Sequence, residues 1–179
     1  MDCSLRRPFE APSKGWGSRN ANDRSFSPTR RFFTDSSLVD FSLVDGLHYR
    51  FGPHALTLPQ AEGFFVGWPT PPSSGVLLEL LSQSDEALIA LEDGRIVGYV
   101  TALTDRILFS SITSLEVLPE YQSHGIGTEL MRRMLERLSG VYATDLVCDA
   151  NLVPFYESVG MRRLDGMGVR RYELQAGAL

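Results

Sequence analysis

Apolar and polar positions fall into a definite order from residue 47 onward. Leu47 to Phe51 (LHYRF) and Ala87 to Leu91 (ALIAL) are short β-prone runs. Glu92-Asp93-Gly94 follows the second run, and Arg95 to Leu103 (RIVGYVTAL) comes next. Asp-Gly between two apolar runs predicts a tight hairpin. Ile107 to Leu118 predicts a third long strand, completing an antiparallel meander. The period then changes. Ile126, Leu130, Met131, Met134, Leu135 and Leu138 share one helical face, while Arg132, Arg133, Glu136 and Arg137 fall mostly on the other. Ser139-Gly140 ends that helix. Asp145 to Asp149 (DLVCD) predicts a strand parallel to 112–118, because a helix separates the two. Asn151 to Ser158 opens a short helix, and Met161 to Leu174 reads as two short strand pieces around Gly166-Met167-Gly168. Upstream, Leu58 to Trp68 has apolar residues at helical spacing. Pro69, Pro71 and Pro72 then break the chain, and Ser73 and Ser74 can cap a helix from Val76 to Ser82.

Composition narrows the class. The chain has 179 residues, 43% hydrophobic and 22% charged, which suits one soluble domain with a real core. Residues 1–37 are rich in Ser, Arg, Pro, Gly and Asn, and neither period survives there. Such a segment buries too little apolar surface to offset its ordering entropy, so residues 1–40 are expected to form a disordered extension and 41–179 the domain. Charge divides similarly, +3 over residues 1–37 and −8 over 38–179, for −5 in all. The acidic domain argues against nucleic acid and weakly favours a cationic substrate. No apolar run approaches the ~20 residues of a membrane span, and no secretory h-region opens the chain. Cys3 and Cys148 suggest no disulfide framework, so a reducing cytoplasm is the expected location. His48, His54 and His124 with these cysteines match no metal-ligand spacing, so no metal is expected.

One stretch carries chemistry. In Ile112 to Leu138 a strand runs through Gly125-Ile126-Gly127 into a helix. The first N–H groups of a helix lack intrahelical partners, and its dipole places partial positive charge there, so the loop suits a phosphate.

Gln122-Ser123-His124-Gly125-Ile126-Gly127 fits Gln/Arg-x-x-Gly-x-Gly/Ala, after a Leu-Glu-Val-Leu-Pro-Glu strand end and before an amphipathic helix. Downstream, Pro154-Phe155-Tyr156-Glu157-Ser158-Val159-Gly160-Met161 looks like a second hallmark of the same family. The two segments together resemble the GNAT superfamily, the Gcn5-related N-acetyltransferases, over residues 41–179. The resemblance implies an α/β (α+β) GNAT fold. Its mixed sheet would have about six to seven strands, a meander followed by strand–helix–strand, helices on both faces and a splayed parallel pair. It also implies acetyl-CoA as co-substrate, with Gln122, Ser123, His124, Gly125, Ile126, Gly127 and Thr128 forming the cofactor loop. The pantetheine would dock like an added strand where Leu115-Glu116-Val117 parts from Leu146-Val147-Cys148. Tyr156 falls where the family commonly uses a general acid toward the CoA sulfur, and Asn151 where it often has an asparagine near the cofactor.

Amine attack on a thioester needs a neutral amine, oxyanion stabilisation and a proton for the departing thiolate. A phenol of pKa ~10 can supply that proton. A backbone N–H at Leu115 or its neighbours would polarise the carbonyl, as in the family. The base is less plain. Where histone-acetylating members carry glutamate this chain has Ser111, and where serotonin-acetylating members carry histidine it has Thr113; neither hydroxyl is a base at neutral pH. Glu116 is the nearest carboxylate, pointing away from Leu115 and Val117 by strand alternation; it is either the candidate base facing the acceptor or a residue that cross-pairs with an arginine on the sheet, and Asp149 and a water chain are the other candidates.

Phe64, Phe65 and Trp68 are the candidate acceptor wall, or simple core. Arg132, Arg133 and Arg137 read as a solvated helix face. The leading expectation is an acetyl-CoA-dependent N-acetyltransferase acting on an amine, a small cationic amine before others. A non-catalytic acyl-CoA-binding sensor is the alternative. A nucleotide-binding domain lacks both of its glycine signatures. The acceptor is not readable, and a homodimer is left open.

Overall fold

The computed structural model describes residues 41–43, 46–54 and 56–177; the expected N-terminal extension lies outside them. Six strands form one sheet in sequence order: β1 (Phe41–Leu43), β2 (Leu47–Phe51), β3 (Glu86–Glu92), β4 (Arg95–Thr104), β5 (Phe109–Val117) and β6 (Ala143–Asp145). All neighbours pair antiparallel except β5 and β6. Three α-helices are α1 (Ser74–Gln83), α2 (Ile126–Arg137) and α3 (Val153–Ser158). Among the described residues no helix is long and apolar enough to cross a membrane.

The β3–β4 turn is the predicted Asp-Gly hairpin, with Asp93 and Gly94 both at positive φ. That geometry matches the twist of the flanking strands. Both faces of the central strands are buried. On one, Leu88, Val100, Ala102 and Ile112 meet Leu130, Met131 and Met134 of α2. On the other, Ala87, Ile89 and Tyr99 meet Phe64, Leu77 and Leu81. Gly98 lies where β4, β5 and α2 crowd together. A Cβ there would sit 3.2 Å from the Glu116 carbonyl oxygen and from Leu130 Cδ1.

Several sequence expectations are corrected. The segment 58–68 is no helix: a 3-10 turn covers Leu58–Ala61, and an irregular strap follows. Gly63, Phe65 and Gly67 all take positive φ there, which no helix accommodates. The last parallel strand is Ala143–Asp145 rather than 145–149. No strand forms over 161–174, where only a 3-10 turn at Tyr172–Leu174 is regular. That stretch leaves Leu164, Met167, Val169, Tyr172 and Leu174 exposed, so its apolar alternation has no sheet to pack on.

The helix arginines are not a uniformly solvated face. Arg133 lies 4.6 Å over the Tyr49 ring, and Arg137 lies 5.4 Å over Phe51 while bonding the buried Glu86 at 3.1 Å. Their long stems cover sheet residues while the charged heads find partners. Glu129 gathers Arg133 at 2.6 Å and Arg132 at 2.8 Å. Hydrogen bonding from Arg132 first, then Arg133, holds its carboxyl down at about 2. A carboxylate depressed in the folded state stabilises above its unfolded value, and that contribution fades as pH falls through the folded one. The melting gap between wild type and Glu129→Gln should therefore be constant above about pH 5 and close toward pH 2. Its size should be under about 1 kcal/mol, because Arg132 is at the surface.

Arg50, on β2, has Nε and Nη2 buried with no hydrogen-bond partner among the described residues. Arg50→Met keeps the stem and removes the unsatisfied donors. It should raise stability by about 1–2 kcal/mol in a denaturant titration.

Candidate active site

Three groups of residues meet at the C-terminal end of β5. The first is the loop into α2. Gly125 is the helix N-cap, left-handed at φ 83, with no capping side chain and no atom within 4 Å of where a Cβ would stand. Ser123 is also left-handed at φ 64. The N–H groups of Ser123 to Thr128 find no acceptor among the described residues. Together with the dipole of a twelve-residue helix they form a donor-lined concavity that suits an anion. Ser123, His124 and Thr128 are exposed, whereas the Ile126 side chain is buried in the core, leaving only its main chain to serve the loop.

The second group is a cleft. β5 and β6 pair for three residues only: Phe109 with Ala143, Ser110 with Thr144 and Ser111 with Asp145. Hydroxyls of Ser110 and Thr144, 2.7 Å apart, tie that end. The register against β4 then slips so that Thr113 is an extra residue on β5. Bulges bend a strand and end pairing, and β5 leaves its parallel neighbour at this one. Leu118 N–H donates to Val97 O at 2.9 Å, which fixes the alternation along β5. Glu116 main-chain groups therefore serve β4, and those of Leu115 and Val117 face the cleft. Gln122 Nε2 donates to Val117 O at 3.0 Å, joining the loop to the strand end. The remaining main-chain groups of Leu115 and Val117 on this side find no partner among the described residues.

Tyr156, on α3, packs against the same core cluster as Leu115, Val117 and Leu146, and lies within electrostatic reach of the free thiol of Cys148. Burial first, then that thiol, pushes the phenol above its usual value. Phe155 packs edge-on against it, with ring centroids 5.0 Å apart, and lies over Gly127 at the start of α2. Asn151 is exposed in the turn Ala150–Leu152 and makes no side-chain hydrogen bond among the described residues.

The third group lies on the α1 face of the sheet. Glu116 Oε1 accepts from Phe65 N–H at 2.7 Å and Val66 N–H at 3.3 Å, and Oε2 lies 3.4 Å from the Tyr99 hydroxyl. Burial raises the Glu116 carboxyl above its ordinary value; the two backbone N–H groups and Tyr99 only partly offset this. Tyr99 and Glu116 are direct cross-strand partners, and the Ser114 hydroxyl adjoins the phenol. Phe64 packs edge-on against Tyr99 at 5.2 Å, and Phe65 against Trp68 at 5.4 Å. Phe64 and Phe65 are buried in the core, while Trp68 is 46% exposed. Ser111 is exposed on β5, and the Thr113 hydroxyl is bonded to Thr101 at 2.8 Å. Asp149 is exposed before the Ala150 turn. Tyr99 and Ser114 escaped sequence reading; pairing β4 against β5 in register was the signal that would have found them. Among the described residues no group of three or more His, Cys, Asp or Glu is placed to hold a metal ion.

The sequence profile of the acetyltransferase (GNAT) family matches residues 56–161. The chain is 31% identical over 68 residues to an uncharacterised ycf52-like N-acetyltransferase of Prochlorococcus marinus; that match spans 37% of this chain and 38% of the relative. Among solved structures, a candidate acetyltransferase from Deinococcus radiodurans R1 is 42% identical, with a TM-score of 0.72, over 74% of this chain and 94% of that one. A GNAT family acetyltransferase from Streptococcus pneumoniae TIGR4 is 25% identical, with a TM-score of 0.57, over 70% of this chain and 98% of that one.

Proposed function

The chain belongs to the acetyltransferase (GNAT) family, and from that premise we propose that it moves the acetyl group of acetyl-CoA to a primary amine by direct attack, a small cationic amine being favoured. The observation that carries this reading is the cleft at the β5 bulge: its free main chain runs straight into a loop of unpaired N–H groups. One co-substrate needs both, a pyrophosphate for the loop and an amide chain for the strand edge.

The residues divide the work. Ser123 to Thr128 hold the pyrophosphate through their N–H groups. Leu115 and Val117 hold the pantetheine, and an N–H at Leu115 or beside it receives the developing oxyanion. Glu116 takes the proton of the arriving ammonium. The neutral nitrogen then attacks the thioester carbonyl carbon, the C–S bond breaks, Tyr156 gives the thiolate its proton, and the second proton on the nitrogen passes through solvent to restore the Tyr156 phenol, leaving a neutral amide. Asn151 lies near the cofactor in this reading, while Phe64, Phe65 and Trp68 wall the acceptor side. The net charge of −8 over residues 38–179 supports a cationic acceptor.

Gly125→Ala places a Cβ on a left-handed residue, costing about 1 kcal/mol of stability. Because the same change moves the loop N–H groups, calorimetry should show acetyl-CoA bound about tenfold or more weakly.

The direct test is release of free CoA thiol from acetyl-CoA across a panel of primary amines. Release with at least one amine supports the proposal. A second reading, a non-catalytic acyl-CoA-binding module, is favoured by one feature: the Glu116 carboxylate is already engaged by two backbone N–H groups. Binding of acetyl-CoA with no thiol release from any amine would establish that reading instead.

A further inference from the structure

The strap 62–68 is fastened to the sheet in an unusual manner. It carries three left-handed residues in five positions, Gly63, Phe65 and Gly67. Two are glycines, for which that backbone is cheap, but Phe65 at φ 62 is a bulky residue in a conformation such residues avoid. The base of the strap is wedged in place: at Gly63 a Cβ would meet Leu118 Cδ2 at 3.2 Å. Its middle is held to β5 by a side chain, with Phe65 and Val66 N–H both donating to Glu116 Oε1. Its far end is open, with Val66 59% and Trp68 46% exposed.

Glu116 thus has two uses for the same oxygen. In the resting protein Oε1 restrains a strained strap, and in the proposed reaction it receives the acceptor's proton. We propose that Glu116 is the latch of an acceptor gate: a protonated primary amine opens the strap by displacing Phe65 and Val66 N–H from the carboxylate. This rests on the reading of Glu116 as the acceptor-side base, and it names the acceptor class as one that arrives charged.

The selectivity follows from hydrogen-bond strength. Two neutral amide donors yield to an ammonium, whose three donors carry a full charge. They do not yield to a hydroxyl, whose bond to a carboxylate is no better than the ones it would replace. Opening also frees Phe65 from its left-handed backbone, so the strain favours release once the carboxylate is taken. The rings of Phe65 and Trp68, 5.4 Å apart, border the opening and suit a cation on an apolar stem. A carboxylate on the carbon bearing the amine would be brought against Glu116, so free α-amino acids are disfavoured.

The sequence holds two tryptophans, Trp16 and Trp68, so Trp16→Phe makes fluorescence report the strap alone. Hexylamine, added without acetyl-CoA, should shift Trp68 emission saturably. 1-Hexanol should give no saturable shift, and 2-aminohexanoic acid should bind at least tenfold more weakly than hexylamine. Glu116→Gln keeps an acceptor for Phe65 N–H and should retain the wild-type circular dichroism, but weaken hexylamine at least tenfold. Glu116→Asp, too short to reach the strap, should show the shifted emission before any amine is added. Equal responses to hexylamine and 1-hexanol, wild-type hexylamine affinity in Glu116→Gln, or no response to any probe would overturn the latch. If the shift is seen but no amine yields thiol, the gate stands and the acetyl-transfer reading fails.

Discussion

Tyr156→Phe should lower kcat about 100-fold or more while leaving acetyl-CoA affinity within about twofold. The ring that packs against Phe155 is kept, so the cleft should hold its shape. What is lost is the one proton the side chain can give. The phenol is half-buried, and its raised pKa keeps it protonated across the working range. A protonated group of that kind can act as an acid toward a thiolate, but not as a base toward an amine. The alkaline limb of the wild-type profile, set by loss of this proton, should lie above pH ~10 and be absent from the phenylalanine variant. Single-turnover thiol release and calorimetric titration separate the two effects. A variant with unchanged kcat would remove Tyr156 from the mechanism, and one that fails to bind acetyl-CoA would make it a structural residue.

Glu116→Gln should cost about 100- to 1,000-fold in kcat/KM, with its clearest signature in the pH profile. A general base acts when deprotonated, so activity must rise with pH through its pKa. Burial sets the Glu116 carboxyl above the ordinary value of 4.5, so the acidic limb should fall above that pH in the wild-type enzyme. The glutamine variant should lose this limb, leaving only the ionisation of the amine itself. Rates of the two proteins converge at alkaline pH, where bulk solvent already supplies neutral amine. An acidic limb of the same midpoint in Glu116→Gln would show that Glu116 is not the base.

Local pattern made much of the fold legible. The Asp93-Gly94 hairpin follows from two adjacent residues that tolerate positive φ. The core face of α2 was readable because Ile126, Leu130, Met131, Met134 and Leu138 repeat with the helix and are all buried. The same reasoning failed at 58–68, where helical spacing of apolar residues was real but Gly63 and Gly67 broke the helix. It failed again at 161–174, because alternation alone does not supply the neighbouring strand a β-segment needs. Arg132 and Arg137 are exposed as the helical pattern implies, whereas Arg133 is largely covered, because a helical wheel places Cβ atoms and says nothing of where a long side chain lies.

The chemistry divides along a similar line. The conformation of the glycine loop at 122–128 was legible because a left-handed glycine and the onset of α2 are both written in consecutive residues. The cleft was only half legible: the two segments were named, but the Thr113 bulge that separates them is a matter of register between β4 and β5. The Glu116 environment was not legible at all. Its partners Tyr99, Phe65 and Val66 lie 17, 51 and 50 residues away in the chain, brought together by strand pairing and by a strap with no regular structure. The sequence by itself determined the meander, the amphipathic helix and the loop between strand and helix, since each rests on interactions within a few residues. Only the tertiary structure decided where the strands part, which arginines pack against the sheet and what the central carboxylate holds, because each depends on long-range contacts that no local periodicity encodes.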